Sequence, residues 1–185
     1  GLMAGLLLAG VTSPAIASRL KSIATLAVGV PAYRLAITPN GATALVTVPS
    51  TNTVWFIDVP TAQLTTSVVL PGSLNAGLEL AITKDGTEAL VANYSDATIT
   101  VLNIGSGAIV GAPIPVLPPG GNSGFTILSD DRTILLTHEA SCGSGSHCLA
   151  VIRAVTPGAW DTLQVVAELP VGLGPRMVAV SSDGT

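Results

Sequence analysis

Few residues in this chain could do chemistry, and their spacing limits what that chemistry could be. The most distinctive cluster is Cys142-Gly143-Ser144-Gly145-Ser146-His147-Cys148, two thiols around a five-residue loop, with His138 and Glu139 just upstream. In an exported chain, such a pair reads as a Cys142–Cys148 disulfide pinning an inserted hairpin, with modest entropic gain from so short a loop. Two alternatives stay open. Both thiolates with His138 and His147 would make a metal site, although the spacing follows no standard zinc pattern and no metal is expected. The thiols could also be free. Ser141 and Ser146 lie near the histidines, as a nucleophile lies near its base, but in a Gly/Ser loop this is the proximity that chance gives. No Gly-Lys-Ser/Thr phosphate loop, HExxH or GxSxG occurs, so motifs assign no catalytic residue and imply no cofactor. The remaining polar candidates are Tyr33, Arg34, Glu79 and Arg176.

The elements that must position these residues repeat along the chain. Leu35-Ala36-Ile37-Thr38-Pro39-Asn40-Gly41 aligns with Leu80-Ala81-Ile82-Thr83-Lys84-Asp85-Gly86, 45 residues on. A third copy begins at Ile127-Leu128-Ser129-Asp130-Asp131, and a fourth at Val178-Ala179-Val180-Ser181-Ser182-Asp183-Gly184. The extra length before the fourth matches the insertion around Cys142 to Cys148. Each unit reads as four short strands, in the first unit Arg34–Thr38, Ala44–Val48, Thr53–Asp58 and Leu64–Leu70. Asn40-Gly41, Asp85-Gly86 and Asp183-Gly184 supply tight turns that need positive φ, and Asp131 takes the glycine position in the third unit. No stretch beyond Ala17 carries a helical stripe, so helices are not expected. Leu35-Ala36-Ile37 and Leu45-Val46 are apolar on both faces, as in a sheet covered on both sides. Four strands per unit of about 45 residues predicts an all-β propeller of four-stranded antiparallel blades.

Composition agrees with a packed β protein. Apolar residues make up 48% and charged residues 10%, the reverse of a disordered chain. Aromatics are only 3%, so the core must be built from Val, Ile, Leu and Ala. The net charge is −4 with no basic run, which argues against a nucleic-acid partner and a polybasic membrane patch. Residues 1–17 read as a signal peptide missing its start: an apolar run from Leu2 to Val11, too short to span a bilayer, then Ala15-Ile16-Ala17 as the cleavage site. Secretion or a periplasmic location is expected, with no membrane span in the mature chain.

The repeat resembles the YVTN-type β-propeller family. Gly29-Val30-Pro31 and Gly172-Leu173-Gly174-Pro175 match its opening and Thr38-Pro39-Asn40-Gly41 its turn. Ala89-Leu90-Val91-Ala92-Asn93 matches its second strand and Asn52-Thr53-Val54-Trp55-Phe56-Ile57-Asp58 its third. The third unit departs most, with His138-Glu139 at the usual Asn position. The resemblance implies a ring of about seven blades, of which residues 18–185 would hold three and a fragment. Residues 20–28 would be an outer closing strand, 30–70 blade 1, 75–117 blade 2, 120–169 blade 3 with the inserted Cys loop, and 172–185 the start of blade 4.

In such a blade the start of the first strand and the loop after the second share a rim. That rim would gather Tyr33, Arg34, Glu79, His138, Glu139 and Arg176 around the central channel mouth, the candidate ligand site. The plainer reading makes Arg34 and Glu79 an ion pair between neighbouring blades. Trp55 and Trp160 are expected in blade packing, with Trp160 near a turn, and Asp58 as a hairpin cap. The leading functional reading is an exported binding or scaffold module for an unknown protein or small-molecule ligand. The alternatives are a propeller enzyme of lactonase, lyase or dehydrogenase-subunit type, and a surface-layer or adhesive repeat protein.

Overall fold

The structure, a computed structural model, describes residues 29–72, 78–139 and 147–181. The leader (1–17), the closing strand (20–28), the Asp183-Gly184 turn and Cys142 lie outside the described residues. Twelve strands form three antiparallel four-stranded meanders. The first is β1 (Leu35–Ile37), β2 (Thr43–Val48), β3 (Thr53–Asp58) and β4 (Gln63–Val69). The second is β5 (Leu78–Ile82), β6 (Glu88–Asn93), β7 (Thr98–Asn103) and β8 (Ala108–Pro115). The third is β9 (Asn122–Ile127), β10 (Thr133–His138), β11 (Cys148–Ala154) and β12 (Leu163–Pro170). No α-helix occurs among the described residues, as expected, and Pro49–Thr51 and Trp160–Thr162 form single 3-10 turns. Pro49 pre-sets φ at the start of the first, and Asn52 ends it in the left-handed region at φ 51°.

The turn chemistry follows the repeat. Gly41 and Gly86 sit at φ +72° and +73°, and Asp131 holds the same conformation at φ +49°. In the first two sheets a threonine closes the turn: the Thr38 hydroxyl accepts from Thr43 N–H at 3.0 Å and the Thr83 hydroxyl from Glu88 N–H at 3.1 Å. The third sheet has Leu128 at that position, and Asp130 takes over by accepting from Thr133 N–H at 2.8 Å. Burial pushes the Asp130 carboxyl up, but the Thr133 hydroxyl and amide outweigh it and hold its pKa below the ordinary aspartate value.

The sheets stack face on face. Leu45, Val54, Phe56 and Leu70 of the first pack against Leu78, Ala89, Val91 and Leu102 of the second. The opposite face of the second sheet presents Leu90, Ala92, Ile99 and Val101 to Phe125, Ile134, Leu136, Ile152 and Trp160 of the third. That sandwiching explains why Ala89-Leu90-Val91-Ala92 is apolar throughout, since neighbouring side chains serve different interfaces. Each such Leu, Ile, Val or Phe contributes roughly 1.5–3 kcal/mol of burial. The first strands β1, β5 and β9 abut one another on one side of the stack. The fourth strands β4, β8 and β12 form its periphery, with β4 almost wholly exposed. The Thr47 hydroxyl donates to Leu78 C=O at 3.0 Å, and Asn122 Nδ2 to Asn93 C=O at 3.2 Å, tying each sheet to its neighbour. Among the described residues, no helix is long and apolar enough to cross a membrane.

Candidate functional site: a charged rim at the inner strands

Thr47 places the first site residues. It accepts Tyr33 N–H through its carbonyl at 2.9 Å and donates its own N–H to Arg34 C=O at 3.0 Å, extending the β1–β2 ladder past the start of β1. Arg34 then reaches across to the second sheet, where its Nε donates to Glu79 Oε2 at 2.7 Å. Glu79, the second residue of β5, is 7% exposed at its side chain against 34% for Arg34. The hydrogen bond to Glu79 outweighs partial burial and raises the Arg34 pKa, so the guanidinium is firmly charged. The Tyr33 ring lies 4.5 Å from the guanidinium carbon and adds a cation–π contact. Glu79 Oε1 is buried and makes no hydrogen bond.

A related cluster lies further along the stack. Glu139, just past β10, accepts from the Tyr94 hydroxyl at 3.4 Å through Oε2, and Arg176 Nη1 stands 3.8 Å from its Oε1. Glu139 is 16% exposed at its side chain and Arg176 79%. Gly121 fixes the two loops in register, donating to Tyr94 C=O at 2.9 Å and accepting from Glu139 N–H at 2.7 Å. Tyr94 was not among the sequence candidates. Its signal was available: Tyr94 and Glu139 are 45 residues apart, the separation of Arg34 and Glu79. Both clusters present an outward guanidinium backed by a nearly buried glutamate, and in each the glutamate Oε1 makes no hydrogen bond. Chemically, the outward guanidinium N–H groups suit an anion or a polarised carbonyl, while each glutamate Oε1 is enclosed and without a hydrogen bond.

The remaining candidates are placed elsewhere. His138, expected at the channel mouth, is fully buried at the end of β10 and does not reach the rim surface. Its Nδ1 lies 3.1 Å from Asn122 Oδ1. Because Asn122 Nδ2 is committed to Asn93 C=O, Oδ1 must accept, so His138 carries its proton on Nδ1 and its buried Nε2 is a bare lone pair without a partner. Burial lowers the His138 pKa, and nearby His147 adds to that, against Glu168 and Glu139. The histidine is thus a seam residue between the second and third sheets. Cys148 is buried opposite His138 on β11 and is not a free thiol, while Cys142 lies outside the described residues. Trp160 is in the core, as expected, and Asp58 caps its hairpin by accepting from Thr61 N–H at 2.8 Å.

A cleft of about 260 Å³ beside Tyr33 is lined by Pro31, Ala32, Pro49 and Ser50. A cleft of about 340 Å³ lies at the other ends of β5 and β9, between Ile82, Lys84, Leu128 and Val180, away from the charged rim.

The sequence matches no protein-family model and no curated protein. The fold does match solved structures. The Kuenenia stuttgartiensis hydrazine synthase superposes with a TM-score of 0.66 at 23% identity, covering 89% of this chain and 43% of that one. A Bacteroides uniformis protein assigned as a 6-phosphogluconolactonase gives 0.65 at 14% identity, covering 83% and 45%. The Pseudomonas aeruginosa periplasmic gluconolactonase gives 0.60 at 16% identity, covering 78% and 41%. The three sheets are propeller blades. The chain spans less than half the length of each of these structures. In the propeller, β1, β5 and β9 are the inner strands, and Arg34, Glu79, Tyr94, Glu139 and Arg176 stand on one rim beside them.

Proposed function

We propose that this chain is part of a propeller enzyme acting on a small anionic or polyhydroxylated molecule, with its site on the rim of Arg34, Glu79, Tyr94, Glu139 and Arg176. The observation that carries the reading is that two guanidinium groups on one rim, Arg34 hydrogen-bonded to the nearly buried Glu79 and Arg176 standing 3.8 Å from Glu139, each keep N–H groups facing outward. A single guanidinium on a wet surface binds little. One oriented by a buried carboxylate holds its remaining N–H groups in fixed directions, which is what recognition of a carboxylate or a developing oxyanion requires. Two of the three structural matches named above bear lactonase names, which supports ring-opening hydrolysis of a sugar lactone as the reaction class. In that reaction water attacks the lactone carbonyl, a rim glutamate accepts the proton, and the ring C–O bond breaks to leave a hydroxyl and a carboxylate. The arginines would steady the carbonyl oxygen as charge develops on it.

The test is hydrolysis of glucono-δ-lactone followed by pH-stat, with calorimetric titration of gluconate. Turnover above the uncatalysed rate that falls about 100-fold in Arg34→Met supports the proposal. Saturable binding without turnover favours the binding-module reading, which the outward arginines would also serve. Neither turnover nor binding removes both.

We further infer that the repeat is of the YVTN type, on the quoted turn and strand motifs. The apolar run before Ala15-Ile16-Ala17 supports export to the periplasm or beyond, and the two cysteines flanking a short Gly/Ser loop, with Cys148 not a free thiol, support a Cys142–Cys148 bridge. N-terminal sequencing of the exported product, expected to start at Ser18, and a mass shift on alkylation only after reduction test these two points.

A further inference from the structure

The third sheet carries a pair of arginines that the repeat does not call for. Ile134 and Ile152 pack against the second sheet, so their chain neighbours Thr133 and Arg153 point the other way. Thr133, Arg153 and Gln164 stand in one row across β10, β11 and β12. Arg132, in the turn before β10, joins Arg153, Gln164, Val155 and Val166 around a cleft of about 260 Å³. The cleft lies at the start of β10, the end of that strand opposite Glu139 and the charged rim.

Neutral acceptors hold both guanidinium groups in place. Arg132 donates from Nε to Ala154 C=O at 2.9 Å and from Nη2 to Val155 C=O at 3.0 Å. Arg153 Nε donates to the Thr133 hydroxyl at 3.3 Å, which in turn donates to Asp130 Oδ2 at 2.6 Å. Asp130 stands behind Thr133, outside the lining of the cleft, and its Oδ1 is taken by the Arg132 and Thr133 N–H groups. Among the described residues neither arginine has an ion-pair partner. A guanidinium has five N–H donors, so most of those on Arg132 and Arg153 stay uncommitted. The backbone does not need these side chains. Ala42 C=O accepts Val59 N–H at 2.9 Å in the first sheet, Thr87 C=O accepts Ile104 N–H at 2.9 Å in the second, and Arg132 C=O accepts Ala154 N–H at 3.0 Å in the third. The same closure is thus made with alanine and threonine, and the counterparts of Arg153 are Asp58 and Asn103.

We propose that this cleft binds a phosphate group. Charge and shape choose the ligand. One guanidinium fork takes both oxygens of a carboxylate, whereas a tetrahedral dianion has oxygens for two forks and charge for two cations. Val155 and Val166, each about half exposed, give the same cleft an apolar wall for the organic part of a phosphate ester.

The test is titration of the isotope-labelled protein with inorganic phosphate and with phenyl phosphate at constant ionic strength, read by amide chemical shifts. Saturating shifts centred on Arg132, Arg153, Val155 and Gln164 are expected, with a Kd of about 1 mM for inorganic phosphate. Tighter binding of phenyl phosphate assigns the group to an ester and equal binding to free phosphate; either supports the site. Arg153→Met removes an exposed side chain and should weaken binding by about tenfold, the loss of one charge-assisted fork. Lys84→Met, the same charge lost elsewhere, should leave it within about twofold, because solvent and salt screen a distant exposed charge. Shifts that never saturate, saturating shifts confined to the rim around Arg34 and Arg176, or binding unchanged in Arg153→Met would each overturn the proposal.

Discussion

Replacing Arg34 by Met should destabilise the chain far more than an exposed arginine normally would. The reason is what it leaves behind: the Glu79 carboxyl, 7% exposed, would lose its guanidinium partner with Oε1 already without a hydrogen bond. Breaking a fully buried pair from one side costs about 3–5 kcal/mol. Arg34 is one-third exposed, so solvent already screens part of the attraction, and the expected cost falls to about 2–3 kcal/mol. With a urea dependence of about 2 kcal/mol/M, that moves the unfolding midpoint down by roughly 1–1.5 M. Glu79→Leu should cost only about 1 kcal/mol, because the orphaned guanidinium can turn to water. The double substitution should then return to within about 1 kcal/mol of the parent, since no unpaired buried charge remains. Urea unfolding of all four proteins measures the cycle. Additive costs, or an Arg34→Met effect below about 0.5 kcal/mol, would refute the claim that this pair joins two blades through a desolvated carboxylate.

Three further perturbations follow from particular residues. His138 has its folded pKa lowered by burial, so its stability contribution is complete above the unfolded value of about 6.5 and is lost as pH falls below it toward the folded pKa; urea midpoints between pH 7.5 and 5 should show this slope, and His138→Asn should flatten it. Gly124→Ala should cost about 2 kcal/mol or more, because its new Cβ would meet Met177 Cα at 2.8 Å and Arg176 C=O at 2.9 Å; a melt indistinguishable from the parent would contradict that contact. Ala62 holds φ +53°, so Ala62→Gly should be neutral to about 1 kcal/mol stabilising by thermal melt, whereas most substitutions destabilise.

The architecture was legible because it is written twice over, in turn residues and in two-faced apolar strands. Thr38-Pro39-Asn40-Gly41 and Thr83-Lys84-Asp85-Gly86 announce the same turn, and Asp131 could be read as the substitute for glycine because its left-handed conformation is one aspartate tolerates. The site was legible only in part. The 45-residue repeat put Arg34 and Glu79 at equivalent positions, and equivalent positions on adjacent blades face each other. His138 was misplaced at the mouth because sequence position gives the end of a strand but not which way a side chain leaves it. Its neighbour Glu139 faces the rim, while His138 turns inward to Asn122. Tyr94 was overlooked because a tyrosine in a loop has no chemical signature of its own; its role comes from a carboxylate one blade away.

In the proposed site the rim arginines receive the ligand. The most direct measurement is a crystal structure of the protein soaked with gluconate. The carboxylate or chain hydroxyls of gluconate are expected within hydrogen-bond distance of Arg34 or Arg176. Gluconate bound instead in the cleft between Lys84 and Val180, or a rim that stays empty at saturating concentration, would contradict it.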